Sequence, residues 1–264
     1  MKYILGATTG DIIGSIYEFN NIKTTDFPLF SDGCCATDDS ILTFATMDVL
    51  LNKGDYTETY QNYGRKYPNP YGGYGGHFNV WIHTTQPRPY NSWGNGSAMR
   101  VSHVGWAFDT LEQTLEEAKN SAEVTHNHPE GIKGAQATAS AIYLARNGKT
   151  KDEIKKYIVD TFAYDLDWEI DEIRDIYFFD GSCQGSVPEA ITAFLESSDY
   201  ENAIRLAVSI GGDSDTIACI TGGIAEAFYG EVPDGIVKKV LEILPEEFVL
   251  LAEAFSLKYR KQDS

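Results

Sequence analysis

Three glycines spaced four apart, Gly6, Gly10 and Gly14, do most to constrain how this chain folds. They lie in a stretch from Tyr3 to Phe19 where Ile4, Ala7, Ile12, Ile16 and Phe19 recur at helical spacing. A four-residue period puts all three glycines on one stripe of that helix. Glycine inside a helix costs about 1 kcal/mol relative to alanine. Three on one stripe therefore predict a backbone lying close against another helix or a ligand.

Helical periods continue along the chain. Asp38 or Asp39 opens a helix through Leu51, and Gly54-Asp55 begins another. A short amphipathic piece runs from His77 to Thr84, and a longer one from Leu111 to Val124. Gly134 to Arg146, with alanines at 135, 137, 139 and 141, suits the centre of a bundle. Thr150 and Glu153 have capping-box spacing. Asp165 to Asp175 reads as a solvated acidic face. Val187-Pro188-Glu189 opens a helix, Asp199 caps another to Ser209, and Pro233 and Pro245 start the last two. Ala218 to Tyr229 is small and apolar, the best candidate for the most buried helix. Strand-like alternation is scarce. The expected fold is all-α, a single compact multi-helix domain over residues 1–264, without repeats or linkers.

Two irregular stretches interrupt this texture, Tyr67 to Gly76 and Gln86 to Arg100. Both are too aromatic for disorder, and long aperiodic loops are otherwise usually functional. Gly94-Asn95-Gly96-Ser97 leads into a helix and can aim several N–H groups at one anion. A plain Asn-Gly turn is the competing account.

With 39 acidic and 21 basic residues, the formal net charge is −18. That field repels phosphate backbones and anionic lipids, so an extended nucleic-acid footprint is not expected. The four cysteines include an adjacent pair, Cys34-Cys35, but no CxxC, which fits reduced thiols in a cytoplasmic protein. No function is assigned to that pair. The N-terminus lacks the apolar run of a signal peptide, and no stretch reaches the roughly 20 apolar residues of a membrane span.

The chemistry concentrates in two acid clusters. Thr37-Asp38-Asp39 stands at one helix entry and Asp213-Ser214-Asp215-Thr216 at another. Each offers two carboxylates and a hydroxyl, a set that suits Mg²⁺ or Mn²⁺ better than zinc. If they converge, four carboxylates call for two divalent ions. If they do not, they are independent N-caps, since Asp is a preferred cap and first-turn residue. Glu18, between two aromatics, reads by itself as a solvated helix-end charge. His126-x-His128 with Cys34 or Cys35 is a zinc alternative, but Pro129 makes a tight turn the simpler account.

Taken together the motifs resemble the ADP-ribosylglycohydrolase family. The resemblance runs from Gly6-Ala7-Thr8-Thr9-Gly10-Asp11-Ile12-Ile13-Gly14, with Ser15, Tyr17 and Glu18, to the helix after Thr216. It takes in Thr37-Asp38-Asp39-Ser40, Trp93-Gly94-Asn95-Gly96-Ser97-Ala98-Met99-Arg100, Val124-Thr125-His126 and Gly211-Gly212-Asp213-Ser214-Asp215-Thr216. Ser40 and Ser214 stand where threonine is commoner, and Trp93 where tyrosine is. The resemblance implies an all-α fold and a centre of two Mg²⁺, with Mn²⁺ as alternative, held by Thr37, Asp38, Asp39, Asp213, Asp215 and Thr216. It implies Glu18 on a mobile loop, and Glu18 and Asp38 as the catalytic acid/base candidates. ADP-ribose would be bound through Trp93, Gly94, Asn95, Gly96, Ser97 and His126, with Gly211 and Gly212 leaving room for ribose. The implied activity is metal-dependent hydrolysis between C1″ of the distal ribose and a modified acceptor, in a protein or small molecule. The alternatives are a non-catalytic ADP-ribose binder, a crystallin-like relative, or a different Mg²⁺ hydrolase such as a phosphatase. The expected protein is a monomer.

Overall fold

In chain order the helices are α1 (Gly6–Gly14), continued by a 3-10 turn at Ser15–Tyr17, α2 (Asp38–Asn52), α3 (Tyr56–Lys66), α4 (Gly76–Trp81), α5 (Gly96–Met99), α6 (Val104–Ala107), α7 (Leu111–Glu123) and α8 (Pro129–Arg146). They are followed by α9 (Lys151–Phe162), α10 (Ile170–Ile176), α11 (Cys183–Glu196), α12 (Tyr200–Ile210), α13 (Ser214–Tyr229), α14 (Asp234–Ile243) and α15 (Glu246–Tyr259). The computed structural model describes residues 2–260, so Met1 and 261–264 of the expected 1–264 domain lie outside the described residues. No strand occurs among the described residues, only two isolated bridges. The all-α expectation holds.

The glycine stripe explains the centre of the molecule. A Cβ on Gly6 would lie 2.4 Å from Gly222 O, one on Gly10 1.9 Å from Ala218 O, and one on Gly14 2.6 Å from Asp215 Cα. α1 therefore lies backbone to backbone along α13, which is buried from Ser214 to Ala227. The ligand reading of the stripe falls away. α8 packs beside them through its buried alanines, and α2, α11 and α12 complete the surround.

Several boundaries differ from the sequence pattern. α1 stops at Gly14, and the turn after it is tighter, because Ser15 Oγ donates back to Ile12 O at 2.9 Å. α8 begins at Pro129, not Gly134, with His128 as N-cap accepting from Glu130 N–H at 3.1 Å. Proline at the first helical position loses no hydrogen bond. α11 begins at Cys183, capped by Ser182, so Pro188 sits inside the helix it was expected to open. The acidic stretch 165–175 runs into α10, whose Ile170 and Ile173 are buried. The capping box at Thr150 and Glu153 is present in both directions. All four cysteines are free thiols. No helix among the described residues is long and apolar enough to cross a membrane.

Candidate functional site

The N-termini of α2 and α13 meet because both helices pack on α1. Thr216 Oγ1 donates to Asp39 Oδ2 at 3.2 Å across 177 residues. The two acid clusters are therefore one site, not separate caps. Both helix ends favour negative charge, yet the charge gathered exceeds what two caps use. Carboxylate oxygens of Asp11, Asp39 and Asp215 lie within 4.8 Å of one another, and so do those of Glu18, Asp213 and Asp215. Asp38 stands on the cleft wall, outside both groupings. Thr37 is fully buried behind it, its hydroxyl donating to Asp11 Oδ1 at 2.7 Å.

Asp11 is the residue sequence reasoning passed over. It is fully buried and accepts from Thr37 N–H at 3.0 Å, from Ser40 N–H at 3.1 Å, and from both hydroxyls. It thus clamps the first turn of α2. The signal was available: Asp11 is the only charged residue between Tyr3 and Tyr17, and such a charge in a buried helix needs partners.

Burial, first of all, pushes the carboxyls of Asp39 and Asp215 well above the usual range, and neighbouring carboxylates add to it. Asp38 is raised the same way. Asp11 rises to about 6 by burial, held back by its donors. Glu18 rises to about 7 by burial, then by Asp213 and Asp11. Asn95 Nδ2 donates to Asp213 Oδ2 at 2.7 Å, and the amide is anchored by Ser186 Oγ at 2.9 Å. Among the described residues, the ion pairs all lie elsewhere. Asp39 Oδ1 is buried with no hydrogen-bond partner. A group of crowded carboxylates lacking positive charge, with an orphaned oxygen among them, fits a hard divalent cation.

The cleft over this cluster has a volume of about 350 Å³, within the range of small-ligand sites. Glu18, Gly72, His126 and Phe179 are among the residues around it. Gly94, Asn95 and Gly96 also line it, whereas Ser97 is buried and donates to Gly131 O at 2.7 Å, and Trp93 stands outside, half exposed. Gly94 N–H is already held by Ser92 Oγ and Asn95 N–H by Gly181 O. The first-turn amides of α5, at Gly96 and Ser97, are the part of the loop placed at a helix N-terminus. His126 sits beside Gly96, with Nδ1 on Thr125 Oγ1 at 2.7 Å. Burial and the nearby Arg100 hold its pKa well below the ordinary value, so the ring is neutral. Among the described residues, His128, the cap of α8, belongs to no metal-capable grouping, nor does His126, Cys34 or Cys35.

Gly211 and Gly212 do not line the cleft, so they are not space for a sugar. Both have left-handed backbone, φ +76° and +67°, which favours glycine. A Cβ on Gly212 would press on the Tyr177 ring at 2.4 Å.

A family model for ADP-ribosylglycohydrolase matches residues 1–264. The chain belongs to the ADP-ribosylglycohydrolase family. It is a hydrolase of that family, 25% identical to bovine ADP-ribosylhydrolase ARH3 over 88% of this chain and 85% of the relative. The chicken ARH3 is 27% identical over 86% and 84%. ADP-ribosylarginine hydrolase Tri1 of Pseudomonas putida is 27% identical, over 52% of this chain and 38% of that one. A solved structure titled ADP-ribosylglycohydrolase-related protein complex superposes with a TM-score of 0.72 and 25% identity, covering 97% of this chain and 96% of that one. In this ADP-ribosylglycohydrolase Glu18, Asp38, Asp39, Gly94–Gly96, His126, Asp213, Asp215 and Thr216 line one cleft, while Thr37, Trp93, Ser97, Gly211 and Gly212 do not.

Proposed function

We propose that this protein hydrolyses the bond between C1″ of the distal ribose of ADP-ribose and an acceptor group, with two Mg²⁺ or Mn²⁺ ions as cofactor. The observation that carries this reading is the convergence of Glu18, Asp39, Asp213 and Asp215 beneath a cleft whose far wall is Gly94–Gly96 with His126. Thr37, Asp38, Asp39, Asp213, Asp215 and Thr216 would hold the cations. Bound there, the cations supply Lewis acidity for the ribose diol and for water.

The protein's own groups then have distinct tasks. Asp11 accepts the Thr37 hydroxyl proton, which would leave the Thr37 Oγ1 lone pairs free for a cation. Asn95 fixes the Asp213 carboxylate. The neutral His126 ring and the α5 amides hold the ribose–diphosphate portion, and Trp93 offers an aromatic face to the adenine. Glu18, half-buried on the cleft beside Asp213 and Asp215, is the first candidate for general acid or base. Asp38, on the cleft wall, is the second candidate for that role. Departure of the acceptor leaves an oxocarbenium-like sugar, as in glycoside hydrolysis generally. The carboxylates beneath the cleft offset that charge. A mere binder has no use for so many crowded acids, which favours the catalytic reading.

The test is release of free ADP-ribose from a panel of arginine-, serine-, nucleobase- and small O-linked adducts, with Mg²⁺, Mn²⁺ or EDTA. Metal-dependent release from at least one adduct is expected, and the panel reads out the acceptor. No release from any of them by folded, metal-loaded protein would refute the proposal, and phosphate release instead would indicate a phosphatase.

A further inference from the structure

Glu18 is set on a short loop after the 3-10 turn, and that loop is tied down at one place. Asn21, exposed and three residues on, clasps Gly212 in both directions. Its Nδ2 donates to Gly212 O at 2.9 Å and its Oδ1 accepts from Gly212 N–H at 2.9 Å, across 191 residues. The same Nδ2 also reaches Tyr17 O at 2.7 Å and Glu18 O at 2.9 Å. The amide therefore fastens the backbone of Glu18 to the residue that precedes Asp213. Lys23 extends the fastening, donating to Ile210 O at 2.6 Å and to Arg174 O and Tyr177 O at 2.9 Å. The left-handed turn at Gly211–Gly212 is what turns both Gly212 groups toward Asn21.

An exposed asparagine has water as an alternative partner and gains little by bonding to the protein. What this clasp achieves is geometric. Beyond it, the Glu18 carboxylate reaches Asp213 and Asp215 within 4.8 Å, although nothing in the Glu18 side chain's own bonds holds it there. Its neighbour on the other side is Gly72, where an added Cβ would stand 2.8 Å from Glu18 Oε2, so the missing side chain there leaves the carboxylate its place.

We propose that Asn21 is a positioning residue that acts through Glu18: its amide, closed on Gly212, holds Glu18 over Asp213 and Asp215. This rests on the reading of Glu18 as a residue that acts on the substrate. The experiment compares Asn21→Ala, Glu18→Gln and the double variant with the parent enzyme. Measurements are turnover, affinity for free ADP-ribose, the Mg²⁺-induced rise in Tm, and amide hydrogen exchange over residues 17–23 and at Gly212. Asn21→Ala should lower kcat 10-fold or more, leave ADP-ribose affinity and the Mg²⁺ response within twofold, and speed exchange in both segments. In the Glu18→Gln background the same change should alter the residual rate less than twofold, because the group it positions is gone. An equal loss in both backgrounds, or full turnover by Asn21→Ala, would overturn the proposal. Exchange is legible without turnover: unchanged protection at Gly212 in Asn21→Ala also overturns the clasp. Absence of ADP-ribose release by the parent enzyme would instead refute the functional reading.

Discussion

At the residue scale the site is a store of repulsion. Asp39, Asp213 and Asp215 are buried near Asp11, with no basic partner among the described residues, and neighbouring carboxylates raise Asp39 and Asp215. Replacing Asp215 by alanine should abolish ADP-ribose release and the Mg²⁺-induced stabilisation. In EDTA, however, its Tm should match or exceed that of the parent, since one repelling charge is gone. Calorimetry with and without Mg²⁺ checks this, and an undiminished Mg²⁺ response would remove Asp215 from the ligand set. The same repulsion sets a pH dependence. A carboxyl whose folded pKa is raised binds its proton more tightly when folded, so its contribution to stability is full below the unfolded value near 4. It is lost as pH rises through about 6 for Asp11 and about 7 for Glu18. Metal-free protein should therefore lose on the order of 5 °C in Tm between pH 5 and pH 8. Saturating Mg²⁺ should flatten that decline, because the cation replaces the protons. A Tm that rises over this range in EDTA would contradict the assignment.

At the element scale the α1–α13 contact positions everything else. It brings Asp11 under the start of α2 and sets Asp215 beside Gly14. Gly10→Ala would drive a methyl into Ala218 O, an overlap that backbone on both sides cannot relieve. A loss of about 3 kcal/mol is expected, visible as a lowered denaturant midpoint. The metal response should weaken too, as α13 carries Asp215 and Asp213 stands at its N-cap. Gly235→Ala, with no atom within 4 Å of the added Cβ, is the control and should cost under about 0.5 kcal/mol.

Across the whole molecule, the two ends of the chain close on one buried acid. Glu226, in the last half of α13, accepts from Gly6 N–H at 2.5 Å and from Arg260 Nη1 at 2.8 Å. It caps the start of α1 and fastens the segment after α15, and it lies eleven residues along α13 from Asp215 of the acid cluster. Glu226→Ala leaves the Arg260 charge and the Gly6 amide without their partner. A loss of about 3–5 kcal/mol is expected, with KM for any cleaved adduct unchanged in the folded fraction. A Tm equal to the parent's would show that the closure carries no stability.

The sequence by itself determined the helical texture, the close contact foretold by Gly6, Gly10 and Gly14, and the hard-oxygen character of both acid clusters. Period and side-chain chemistry are local properties, readable residue by residue. Helix starts were less legible at Cys183 and Pro129, because Ser182 and His128 cap in ways that only a backbone path reveals. Whether Thr37–Asp39 and Asp213–Thr216 were one site or two caps was decided by tertiary structure, since that depends on α1 bringing two helix ends together. Tertiary structure also turned Asp11 into a clamp and Asn21 into a clasp. It moved Gly211–Gly212 from the sugar's side to a turn beneath the loop. Those three roles rest on hydrogen bonds and contacts between segments far apart in the chain, which no local pattern encodes.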